Sequence, residues 1–142
     1  MYTDQCDHNF TYALYPHKGD HVDGRVAQAG NELNVPLRTT QLAIQSGQLP
    51  PLASFLQVDV PNVFVEAVKQ AEGDANQSVI IRLYEAEHRG VKASLTFGFP
   101  VISVAEVDMM EENAAALEVV NNCVQIEFKP FEIKTIKVSA GR

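Results

Sequence analysis

The chain has 142 residues, with 11 Lys+Arg against 18 Asp+Glu and a formal charge of −7. Its 46% apolar and 20% charged residues are the composition of a globular chain with one core, not of a disordered one. The acidic balance opposes binding to a phosphate backbone, no apolar run approaches the roughly 20 residues that span a bilayer, and the polar start MYTDQCDHNF is no secretory signal. The expectation is a cytoplasmic chain without nucleic-acid or membrane partners.

Phe10, Tyr12 and Leu14 alternate with Thr11, Ala13 and Tyr15, which predicts a half-buried strand over 10–15, stopped by Pro16. Residues 17–24, HKGDHVDG, read as loop from their Gly, Asp and charge content. Over 25–33, Val26, Ala29, Gly30 and Leu33 share a face at helical spacing, and Asn34-Val35-Pro36 ends the helix. Strands are expected over 37–44, 54–60 and 62–70, with a loop at 45–51 and an acidic turn, EGDAN, at 72–76. Residues 79–86 are apolar on both faces at their start and read as a central strand. His88-Arg89-Gly90 links it tightly to a strand over 91–97, and further strands follow over 100–107, 114–120, 123–128 and 132–138. Residues 111–117 leave a short helical turn open as an alternative. The sum is an all-β protein: an antiparallel β-sandwich of about eight or nine strands with one short helix.

Candidate chemistry is sparse. Cys6 and Cys123 belong to no metal-binding spacing and read as free thiols. His8, His17 and His21 lie among Asp4, Asp7, Asp20 and Asp23, yet without the i, i+4 or i, i+2 pairing that preorganises metal ligands. No metal site is expected in this chain. Glu85 and Glu87 share a strand face about 7 Å apart, a spacing that glycosidase carboxylates permit, but two glutamates near the end of one strand read as a solvated edge and not as a catalytic pair. No GxSxG elbow and no phosphate-binding glycine loop is present. Arg82 stands in a run of Val, Ile, Ile and Leu, where a charge needs a partner or a rim. Glu85, Glu66 or Glu132 could pair with it; otherwise it points into an interface with another domain. With no Trp, and with most Phe and Tyr at strand positions that suit a core, a sugar-stacking platform has little support.

Six segments in one order carry a resemblance: HNFTYALYPHKG at 8–19, NELNVPL at 31–37, SFLQVD at 54–59, NVFVEAVKQAEGD at 62–74, IIRLYEAE at 80–87 and KPFEIKTIKV at 129–138. The first resembles the H-x-F-x-Y-x-L-x-P-H-x-G segment of zinc-dependent α-mannosidases of glycoside hydrolase family 38, in particular the bacterial and cytosolic or vacuolar branch. The resemblance implies a single C-terminal β-sandwich domain over 1–142, cut from a retaining exo-α-mannosidase. In that family the zinc and the nucleophile belong to a catalytic domain whose motifs match nothing in this chain. The implied partners are that catalytic domain, the α-mannoside substrate through the full enzyme, and further copies, since family members often assemble. This chain by itself is then expected to be inactive. Arg82, in the R-L-Y-E match, and His17, in the PHKG loop, become candidates for the substrate rim or the domain interface. Where an aromatic often follows that loop, His21-Val22 stands instead. The competing reading is a free-standing lectin-like or protein-docking sandwich.

Overall fold

The computed structural model describes residues 6–44, 46–48, 50–74 and 78–141. They divide into two compact units, Met1–Thr39 and Thr40–Arg142.

The second unit is the sandwich. Its nine strands among the described residues are β1 (Leu56–Val58), β2 (Val63–Gln70), β3 (Val79–Glu85), β4 (Val91–Phe97), β5 (Val101–Val107), β6 (Ala115–Leu117), β7 (Val119–Val120), β8 (Cys123–Phe128) and β9 (Ile133–Ala140). A four-stranded sheet runs β1-β4-β8-β7 and a five-stranded sheet β2-β3-β9-β5-β6, every pairing antiparallel. The chain changes sheet between β3 and β4 and again between β4 and β5, so each sheet is assembled from distant segments.

Period-two patterning builds the core directly. In β8, Val124, Ile126 and Phe128 are buried while Gln125 and Glu127 face out. Ala93, Leu95 and Phe97 of β4 join them, and Ile81, Leu83, Val104, Ile136 and Val138 approach from the other sheet to form one cluster. As expected of a central strand, β3 is flanked on both sides, by β2 and β9. A bulge between Val65 and Ala67 lets β2 shift register against it.

Residues 114–120, expected as one strand, form two. β6 pairs with β5 in the five-stranded sheet and β7 with β8 in the four-stranded one, so the chain passes between sheets at Glu118. β7 turns into β8 through Asn121 and Asn122, both at left-handed φ (52° and 57°), the geometry of a tight hairpin that asparagine tolerates. The alternative helical turn over 111–117 does not form. At Gly98 a Cβ would fall 1.9 Å from the Ser54 carbonyl oxygen, so only glycine allows β1 to close on β4 there.

The first unit departs from expectation. Helix α1 (Val26–Asn34) is present, but residues 10–15 and the described residues 37–44 form no strand. Phe10, Tyr12 and Leu14 are 82%, 82% and 91% exposed. A strand needs a neighbour to satisfy its backbone, and among the described residues neither segment has one. Helix α1 presents the expected amphipathic face yet buries no residue, and no side chain caps its N-terminus.

Candidate functional site

Glu85, at the end of β3, is 1% exposed, which overturns the solvated-edge reading. Its Oε1 accepts the Asn62 Nδ2–H (2.9 Å) and the Glu87 N–H (2.8 Å), and its Oε2 accepts the Phe131 N–H (2.9 Å). Burial pushes this carboxyl up, but the N–H donors of Phe131, Glu87, Asn62 and Arg89 outweigh it, and the net pKa is lowered. The carboxylate ties three connections together: the entry to β2, the exit of β3 and the turn before β9. Glu87 therefore meets it through backbone and not as a second reacting carboxylate.

Arg82 takes none of the carboxylates proposed for it. It lies on the opposite face of β3, half-buried, with Nε donating to Thr135 Oγ1 at 3.3 Å and the guanidinium reaching the Met109 carbonyl at 3.5 Å, and no ion pair to it exists among the described residues.

Met109 belongs to a loop, 108–113, that crosses this outer face. The Asp108 carboxylate accepts the N–H groups of Met110 and Glu112 (2.9 Å each) and the Asn113 amide (2.6 Å). Glu111, at φ 67°, pairs with Lys69 and accepts the Glu72 N–H at 2.8 Å. The Glu112 N–H, with the Asn113 amide, holds the Asp108 carboxyl below its usual value; Lys69, with the Glu72 N–H, does the same for Glu111. Ala71, Ile80 and Val107 form a small second core apart from the main cluster, whereas Met109 and Met110 stay 56% and 79% exposed. Sequence reading missed the strap, although an Asp able to take the backbone N–H two residues on, as Asp108 takes that of Met110, is a turn signal.

His17 lies in the first unit, stacked on Tyr15 with ring centroids 6.1 Å apart. Gly24 comes so close that a Cβ there would fall 2.4 Å from His17 Nδ1. Asp20 organises this loop by accepting the Val22 and Asp23 N–H groups at 2.9 Å. Arg82 lies in the second unit.

Among the described residues no group of three or more His, Cys, Asp or Glu is placed to hold a metal ion; Asp4 lies outside the described residues. Cys6 and Cys123 are free thiols. An open concavity of about 620 Å³ lies on the outer face of the four-stranded sheet, lined by Lys92, Glu118, Val120, Cys123, Gln125 and Glu127. It has no aromatic ring on which a pyranose could stack.

These features define an antiparallel β-sandwich whose most buried carboxylate is committed to holding loops. The family profile described as "Glycosyl hydrolases family 38 C-terminal beta sandwich domain" matches residues 62–136, more than half of the chain, and the chain belongs to that family. Among curated proteins it is similar to Alpha-mannosidase 2C1 of Homo sapiens, 37% identical over 134 residues (91% of this chain, 12% of the relative). It is similar also to Alpha-mannosidase 2C1 of Mus musculus, 33% identical over 138 residues (94% and 13%). Alpha-mannosidase G of Dictyostelium discoideum is 27% identical over 145 residues (94% and 13%). The chain thus spans 12–13% of the length of the curated relatives it matches.

Proposed function

We propose that the chain is the C-terminal accessory domain of a cytoplasmic, retaining exo-α-mannosidase, in which it supports the catalytic domain and lends side chains to the rim of the substrate cleft. The observation that carries this reading is the coincidence of the family match, 62–136, with the sandwich from β2 into β9. On this reading the zinc and both reacting groups belong to the catalytic domain, and terminal α-mannosides are the substrate. Arg82 and His17 are the side chains proposed for the rim or the domain interface, and further copies of the enzyme are its proposed assembly partners.

The test replaces the matching region of the human Alpha-mannosidase 2C1 with this chain. The chimera is expected to release 4-nitrophenol from its α-mannoside, whereas the human protein lacking that region, and this chain by itself, release none. A folded but inactive chimera, or turnover by the isolated chain, overturns the proposal. Within the chimera, Arg82→Ala or His17→Ala at the rim raises KM while kcat is kept. Unchanged kinetics in both variants removes the rim assignment.

A further inference from the structure

We infer that residues 9–15 are a β-strand whose sheet lies in the catalytic part of the longer polypeptide, so that the first unit joins that part by adding a strand to an open sheet edge. The inference rests on the accessory-domain reading above and names the contact through which it operates.

Four observations converge. The segment Asn9-Phe10-Thr11-Tyr12-Ala13-Leu14-Tyr15 has the alternation of a half-buried strand, ended by a proline. The Phe10 and Tyr12 rings lie beside each other, their centroids 6.5 Å apart. Its backbone makes no hydrogen bond among the described residues, and its apolar row, Phe10, Tyr12 and Leu14, is 82–91% exposed. Finally, no described residue of the first unit is buried, although Leu14, Val26, Ala29 and Leu33 line an apolar groove of about 460 Å³. A unit whose described residues include none that is buried has little apolar burial to offset its ordering entropy, so this surface is made to be covered.

The occupant follows from pairing physics and length. Two copies joined through this segment would form a two-stranded ribbon, which is marginal in water, whereas addition to an existing sheet satisfies the backbone and covers the apolar row together. The relatives are about eight times as long as this chain, and they match it well beyond 62–136. The covering sheet therefore belongs to the remainder of such an enzyme.

Hydrogen–deuterium exchange tests this on the full chain and on the chimera. In the free chain the amides of 9–15 exchange as fast as an unstructured segment; in the chimera they slow at least about 100-fold. Thr11→Pro abolishes that protection and the chimera's activity while leaving the unfolding of the free chain's sandwich unchanged. An active chimera whose 9–15 amides still exchange as in the free chain overturns the inference and leaves the accessory reading standing. Concentration-dependent protection in the free chain overturns it in favour of a second copy. If the chimera is inactive the accessory reading fails, and exchange is read instead on the intact mouse Alpha-mannosidase 2C1 over the aligned stretch. Slow exchange there supports the strand, and fast exchange overturns it.

Discussion

At the residue scale, Glu85 separates what a sequence spacing suggests from what burial decides. Glu85 and Glu87 stand two apart at a strand end, but the partners that claim Glu85 come from Asn62 and Phe131, 23 and 46 residues away. Glu85→Gln replaces one acceptor oxygen by an NH₂ facing N–H donors, so unfolding in urea is expected to show a loss of about 2–4 kcal/mol. The folded-state pKa is lowered, so this stabilisation is fully present above the ordinary glutamate value of about 4.3 and lost as pH falls through the folded value. The stability gap between the native chain and Glu85→Gln is therefore constant above about pH 6 and narrows toward pH 3. A gap that widens on acidification contradicts the assignment. Arg82 teaches the same point: its conspicuous place in an apolar run was legible, but its partners, Thr135 and the Met109 carbonyl, are tertiary neighbours.

At the element scale, the 108–113 strap is held by carboxylates more than by apolar burial. Asp108 closes the loop on itself and Glu111 fastens it to β2 through Lys69 and to the following turn through the Glu72 N–H. Glu111→Gln is expected to speed amide exchange across 109–113 about tenfold while the sandwich melts nearly as before, because none of 108–113 belongs to the main core between the sheets. Both carboxyls have lowered pKa values, so the native fastening holds above the usual carboxylate range and loosens as pH falls below it. Exchange that stays unchanged in Glu111→Gln and at acid pH would show that the strap is held by something else. The neighbouring residues 114–120 mark a limit of periodicity. Alternation signals extended chain, but nothing in it says that β6 and β7 pair into different sheets.

For the whole molecule, the two units differ in what protects them. The sandwich surrounds a core contributed by both sheets, whereas the described residues of Met1–Thr39 include none that is buried. Limited trypsin digestion of the free chain is therefore expected to cut after Lys18, Arg25 and Arg38 before any site within β2–β9, leaving a persistent fragment that begins at Thr39. Mass spectrometry reads this directly. Early cleavage within β3 or β9, with the first unit intact, would reverse this order of stability.

Sequence alone determined the β-sandwich class, helix α1 to within one residue at each end, and strands β4 and β8 at their observed limits, because alternation over five or more residues reports which face leaves water. It also carried the family resemblance, since ordered segments survive where single spacings say little. Only the tertiary structure decided that 10–15 has no partner among the described residues, that 114–120 divides between sheets, and that Glu85 and Arg82 serve loops and strap. The physical reason is common to all three. A strand's pairing and a charged side chain's partner lie far away in sequence, so local pattern can state that a group must be satisfied but not by what.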